Sequence, residues 1–226
     1  MKWLVCAFSL FVGYAQALAA DRDRPIVVEL FQSQGCSSCP PANRNVLAIA
    51  DRPDILALSW EVTYWDYLGW RDTFGDHAFT QRQYDYAKSL GHDGVFTPQV
   101  VVNGRMDGVG ADPGELRELI DKASARAPGP EVTLANGQVR IGAAPGAGEV
   151  VLVRYDPALV QVAVHRGENA GETLPHRNVV RQLVYLGKWN GGQLSLTLPV
   201  APRAGLRTVV LVQAGRVGAV LAVGRD

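Results

Sequence analysis

Cysteine is scarce in this chain of 226 residues, which carries three. That is too few for the two cysteine pairs of a four-cysteine zinc site. An excess of charge is missing as well. Lys and Arg number 22 against 22 Asp and Glu, so the overall charge points to neither nucleic acid nor an anionic lipid surface as a partner. No apolar run beyond the first 20 residues approaches the length of a bilayer span. What the chain does have is a hydrophobic content of 47%, enough to bury a core, which excludes disorder throughout.

Residues 1–20 begin with Lys2, run apolar from Trp3 to Val12 and end in Ala17-Leu18-Ala19-Ala20. That is the layout of a signal peptide cleaved near Ala19 or Ala20, and it predicts a periplasmic or secreted protein with no membrane span after cleavage. Cleavage removes Cys6 and leaves only Cys36 and Cys39. An oxidising compartment permits a disulfide between them. A loop holding only Ser37 and Ser38 constrains the unfolded chain little, however, so a purely structural staple would be better placed elsewhere. The charge also divides along the chain. Residues 21–130 hold 11 basic against 16 acidic side chains, and residues 131–226 hold 10 against 6. The two halves can therefore attract each other.

Ile26 to Phe31 reads as a mostly buried strand that runs into the polar turn Gln32-Ser33-Gln34-Gly35 and the cysteines. Pro40 and Pro41 belong in the first turn of a helix, which places a helix from beside Cys39 to Ala50. A strand over Ile55 to Val62 follows, then an irregular aromatic stretch from Tyr64 to Trp70. Asp76 can cap a helix bearing Phe79, Tyr86 and Leu90, and Gly91 stops it. Gln99 to Val102 and Met106 to Val109 form a hairpin around Asn103-Gly104. Asp112-Pro113 opens a last helix with Leu116, Leu119, Ile120 and Ala123 on one face. From Val132 onward short alternating runs recur without helical segments, as in an all-β sandwich.

A Cys-x-x-Cys pair between a strand and a helix N-terminus has a chemical rationale, because the helix-end amides and macrodipole favour the reactive thiolate. Cys36, on the turn side, is expected to be the exposed nucleophile and Cys39 the resolving thiol. An inert disulfide, or half of a zinc site completed by two of His77, His92, His165 and His176, are the alternatives. Each histidine is otherwise expected to be a surface or packing residue. Glu29 is the one charge in its strand. If buried, it would have a raised pKa and could carry the proton of Cys39; otherwise it lies at a solvated edge. The aromatic stretch either packs the core or walls the cysteine site.

Val28-Glu29-Leu30-Phe31, Gly35-Cys36-Ser37-Ser38-Cys39-Pro40-Pro41, Tyr64-Trp65-Asp66-Tyr67-Leu68-Gly69-Trp70 and Thr97-Pro98-Gln99-Val100-Val101-Val102-Asn103-Gly104 together resemble a family of uncharacterised secreted bacterial proteins in the thioredoxin-like superfamily. Arg166-Gly167-Glu168-Asn169-Ala170-Gly171 and Leu186-Gly187-Lys188-Trp189 fit it too, so the resemblance spans nearly the whole mature chain. The superfamily implies disulfide exchange, with Cys36 attacking, Cys39 resolving and Pro98 as its cis-proline. That context turns Thr97 toward the cysteines, where it could pair with an extended substrate. Gly35 stands where thioredoxin has tryptophan, and Pro40 disfavours helical geometry at Cys39, which would delay the helix start.

The expectation is thus an α/β thioredoxin-like domain of order βαβαββα with a central mixed sheet over residues 21–126, including a helical and aromatic insertion. A linker at 127–131 and an all-β sandwich-like domain over 132–226 follow it. The expected activity is that of a thiol–disulfide oxidoreductase acting on protein or small thiol substrates through Cys36, Cys39, Pro98, Thr97 and Glu29. It needs no cofactor beyond its own disulfide and no metal, and it requires a redox partner. The alternative is a non-enzymatic periplasmic binding module for a soft metal such as Cu(I) or for a protein partner.

Overall fold

A computed structural model describes residues 24–125 and 127–226. The expected signal segment, its expected cleavage point and Cys6 lie outside the described residues. Apolar and β-branched residues extend the chain over β1 (Ile26–Gln32) and β2 (Ile55–Glu61). Both are buried on both faces, which suits strands in the middle of a sheet. Between them lies α1 (Cys39–Ile49), with its prolines in the first turn, where a missing N–H costs no helical bond. Cys39 itself opens the helix, so Pro40 does not delay the start as expected. The Cys39 amide closes a turn onto the Cys36 carbonyl at 3.2 Å, which sets the chain direction before the prolines begin.

The aromatic stretch after β2 is irregular except for one short 3-10 turn at Asp66–Leu68. The carboxylate of Asp76 then accepts the Ala78 amide and starts α2 (His77–Leu90), which Gly91 ends with a φ of 80°. Strands β3 (Gln99–Val102) and β4 (Met106–Gly108) follow, joined at Asn103 and Gly104, whose φ values are 49° and 63°. This turn is tightly docked: a Cβ on Gly104 would lie 2.2 Å from the Gly218 carbonyl oxygen. Helix α3 (Pro113–Ser124), capped by Asp112, completes the order β1-α1-β2-α2-β3-β4-α3.

The remaining strands are β5 (Val132–Ala135), β6 (Gln138–Ile141), β7 (Gly148–Asp156), β8 (Val160–Ala163), β9 (Thr173–His176), β10 (Val179–Trp189), β11 (Leu194–Thr197), β12 (Arg207–Gln213) and β13 (Val220–Arg225). No helix occurs there among the described residues. Strand β9 has no counterpart in the sequence reading, because it is four residues long and contains Pro175. A mixed eight-stranded sheet runs β13-β12-β7-β10-β2-β1-β3-β4 and takes four strands from each side of residues 127–131. At the junction β10 lies parallel to β2 with Val179 opposite Ser59, and the Ser59 amide donates to the Asn178 carbonyl at 3.0 Å. The two halves therefore share a sheet. Two smaller sheets, β11-β6-β5 and β8-β9, accompany it.

Period-two alternation divides the apolar side chains between the sheet faces. Val28, Leu30, Ala57 and Val100 pack with Ala42 and Val46 of α1 and with Leu116, Ile120 and Ala123 of α3. Val27, Phe31, Leu58 and Trp60 point the other way, packing with Phe79 and Tyr86 of α2 and with Val151, Val153, Val209 and Leu211 of the second half. Val150, Leu152, Val210 and Val212 meet Val139 and Ile141 of the three-stranded sheet, giving a sandwich-like layer. The opposite charges of the halves meet at Arg177–Asp51 and Arg216–Asp85, each at 2.6 Å and exposed enough to contribute little. Among the described residues no helix is long and apolar enough to cross a membrane.

Candidate functional site

Strand β1 delivers the polar turn to the edge of the helical layer, and the turn is fixed from several directions. The Gly35 amide donates to Ser33 Oγ, the Cys36 amide to the Ser33 carbonyl, and the Gln34 amide to Asp72 Oδ2 at 2.7 Å. Cys36 and Cys39 form a disulfide with their Cα atoms 5.5 Å apart. The Thr97–Pro98 bond is cis and brings Thr97 against the pair. Thr97 Oγ1 donates to Cys36 Sγ at 3.3 Å while accepting from Trp65 Nε1 at 2.7 Å. A hydroxyl has one proton, so the indole N–H, by filling an acceptor lone pair, leaves that proton for the sulfur. Ser38 Oγ lies 3.3 Å from both Cys36 Sγ and the Thr97 carbonyl.

Two sequence-derived expectations change here. Cys36 is fully buried, not exposed: Thr97 and Ser38 contact its sulfur and a loop from the other half caps its carbonyl. Glu29 is buried, yet it is not placed to serve Cys39. It points to the face of β1 that meets α2, opposite the face on which α1 packs, and it receives Arg82 Nε at 2.8 Å, Arg82 Nη2 at 3.0 Å and Tyr86 OH at 2.5 Å. Gln213 of β12 accepts a further Arg82 bond. Burial pulls the Arg82 guanidinium down, but the Glu29 charge outweighs it and keeps the group above its ordinary value. Burial pushes the Tyr86 phenol well up. The group is a structural ion pair, and Glu29 leaves the list of residues at the cysteines.

His176, expected to be a surface or packing residue, is packed: it is 1% exposed, and its Nδ1 lies 3.1 Å from Glu61 Oε1. Burial lowers its basicity and the Glu61 charge raises it, with a net shift upward. Gln32 Nε2 and Ser59 Oγ reach the same Glu61 oxygen at 3.0 Å each. Asp72, beneath Gln34, is pushed up to about 8, first by burial and second by the Glu61 charge. This polar group lies under the cysteine turn, since Gln32 Nε2 also approaches Asn43 Oδ1 of α1. Its members sit on β1, α1, β2, β9 and, with Asp72, the segment just after the aromatic stretch. The residue types alone gave no signal of their meeting.

The loop between β8 and β9 lies directly over the cysteine turn. Asn169 Nδ2 donates to the carbonyls of Gln34 and Cys36, both at 2.9 Å, and Asn169 is only 6% exposed. Glu168 Oε2 accepts from the Ser37 amide at 3.0 Å and the Ser37 hydroxyl at 2.8 Å. Both bonds hold the Glu168 carboxyl below its ordinary value. Gly167, with a φ of 78°, brings the loop backbone near Gly35, Leu68 and Trp70. The aromatic stretch thus walls the site: Trp65 orients Thr97, Tyr67 stacks on Trp65 and is 77% exposed, and Trp70 meets His165 edge-on. Among the described residues no cluster of three or more His, Cys, Asp or Glu side chains is arranged to hold a metal ion.

This fold recurs elsewhere. Residues 27–213 match the family described as "Protein of unknown function (DUF1223)", and the chain belongs to that family. It is similar to a crystal structure of a structural-genomics protein from Agrobacterium tumefaciens, with 31% identity, a TM-score of 0.72, and coverage of 88% of this chain and 92% of that one. HBP35 of Porphyromonas gingivalis shares the fold at 12% identity and a TM-score of 0.59, over 90% of this chain and 75% of that one. No curated protein matches the sequence.

Proposed function

We propose that this chain is an exported, thioredoxin-like thiol–disulfide oxidoreductase whose active pair is Cys36 and Cys39. The observation that carries the reading is the Thr97 hydroxyl on Cys36 Sγ, held there by Trp65, beside a disulfide at the first turn of α1. A donor aimed at one sulfur favours that sulfur as thiolate. The strand–cysteine turn–helix order and the Thr97–Pro98 bond support the thioredoxin-like assignment, and the signal-like residues 1–20 support export.

In the reducing direction, Cys36 thiolate attacks one sulfur of a substrate disulfide. That bond breaks, a mixed disulfide forms and the first substrate thiolate leaves. Cys39, as thiolate, then attacks Cys36 Sγ, restoring the Cys36–Cys39 disulfide and releasing the second thiolate. The pair loses two electrons and the substrate gains them, with protons drawn from solvent. A dithiol donor returns the pair to its reduced form by the same exchange. Titrating the mature protein against dithiothreitol redox buffers, with mass-tagged alkylation of the cysteines, tests this reading. A reversible two-electron transition is expected; a pair that stays in one state across the buffer range would refute it.

A further inference from the structure

The loop motif Arg166-Gly167-Glu168-Asn169-Ala170-Gly171 belongs to the second half of the chain and has no part in the exchange steps above. It nevertheless places a carboxylate on the cysteine turn. Among the described residues, Glu168 is the ionisable side chain hydrogen-bonded within residues 36–39, through the Ser37 amide at 3.0 Å and hydroxyl at 2.8 Å. Its neighbour Asn169 anchors the loop to the Gln34 and Cys36 carbonyls, and Asn43 of α1 donates to the Pro175 carbonyl at 2.6 Å, so the hairpin is tied at both ends.

We propose that Glu168 regulates the cysteine pair from the second half of the chain: its carboxylate opposes formation of the Cys36 thiolate and so biases the pair toward its disulfide. The inference rests on the exchange reading above. Its physical basis has two parts. A negative charge beside Ser37 repels a thiolate forming at the adjacent Cys36, and the carboxylate also occupies the Ser37 N–H, a donor at the helix entrance that would otherwise favour that thiolate. The disulfide form carries no such charge and is not penalised. Because the Ser37 bonds hold the Glu168 carboxyl below its ordinary value, the charge persists well into the acidic range.

Other ionisable groups surround the turn. Arg44 of α1 lines a cavity of about 370 Å³ together with Glu168 and Glu172. Asp72 lies under Gln34, His165 lies against Trp70, and the Arg166 stem approaches Gly69. Arg44 and Arg166 act against Glu168, and Asp72 acts with it when ionised. Substituting Glu168 alone leaves this background in place.

The test titrates the Cys36 thiolate by its ultraviolet absorbance in a Cys39→Ser background, with and without Glu168→Gln. Glutamine keeps an oxygen for Ser37 and removes only the charge. The midpoint is expected to fall by about half to one pH unit, raising the thiolate fraction about three- to tenfold below the midpoint. Concentrated salt should move the Glu168 protein toward the Gln variant, since an exposed charge is screened. Coincident titrations, or a difference untouched by salt, would overturn the proposal. The titration uses a single cysteine in place of the disulfide, so it stands apart from the redox-buffer experiment, and failure of one is distinguishable from failure of the other.

Discussion

Replacing Glu29 separates structure from chemistry in this fold. Glu29 and Arg82 are both wholly buried, joined by two bonds of 2.8 and 3.0 Å, and completed by Tyr86 and Gln213. Removing one partner of such a pair strands the other charge without solvent, at a cost of about 3–5 kcal/mol. That is a large share of the roughly 5–15 kcal/mol that stabilises a domain. Glu29→Gln and Arg82→Met should each lose stability of this order in urea unfolding, while the double variant should lose clearly less than the sum of the two. Glu29→Gln should leave the pH profile of disulfide exchange unchanged, because Glu29 lies on the face of β1 away from α1. A loss below about 1 kcal/mol, or a displaced exchange profile in a protein of undiminished stability, would refute the assignment of Glu29 to structure.

Asp72 binds its proton more tightly in the folded chain than in the unfolded one, so the stability it confers is complete below the ordinary carboxylate range and is lost as pH rises toward about 8. His176, also shifted upward, loses its contribution in the same direction as pH rises through its folded value. Below the ordinary imidazole range, where Asp72 alone of the two contributes, unfolding free energy should therefore fall with a slope approaching about 1.4 kcal/mol per pH unit, and Asp72→Asn should flatten it there; equal slopes would remove Asp72 from the account. Thr97→Val deletes the hydroxyl aimed at Cys36 Sγ and should raise the thiolate midpoint by about one pH unit, roughly one hydrogen bond, whereas an unchanged midpoint would refute its role. Asn169→Ala leaves the Gln34 and Cys36 carbonyls without their side-chain donor, so a loss of about 1–3 kcal/mol and faster alkylation of Cys36 in the reduced protein are expected. Unaltered stability and alkylation would show that the loop does not hold the turn.

Local signals carried much of the fold. Asp76 and Gly91 bound α2, Asp112 and Pro113 start α3, and Asn103-Gly104 turns the hairpin, each through chemistry confined to a few residues. The strand–cysteine turn–helix arrangement was readable for the same reason. The partner of Glu29 was not, because alternation along β1 fixes that successive side chains oppose each other but not which face α1 will cover. Nor was the meeting of Glu61 with His176, 115 residues apart, or that of Ser37 with Glu168, 131 apart. Both depend on how the second half docks. Its one legible trace was the charge division, which the structure expresses at Arg177–Asp51 and Arg216–Asp85. Strand β9 escaped because four residues with a proline carry too little pattern.

The most direct test of the central claim is covalent trapping. A Cys39→Ser variant, treated with a small aromatic disulfide, should release one equivalent of the leaving thiol and retain the other half as a stable mixed disulfide on Cys36, because the resolving thiol is gone. The Cys36→Ser variant should trap far more slowly. Absence of a Cys36 adduct in the folded protein, or equal trapping at Cys39, would contradict the account.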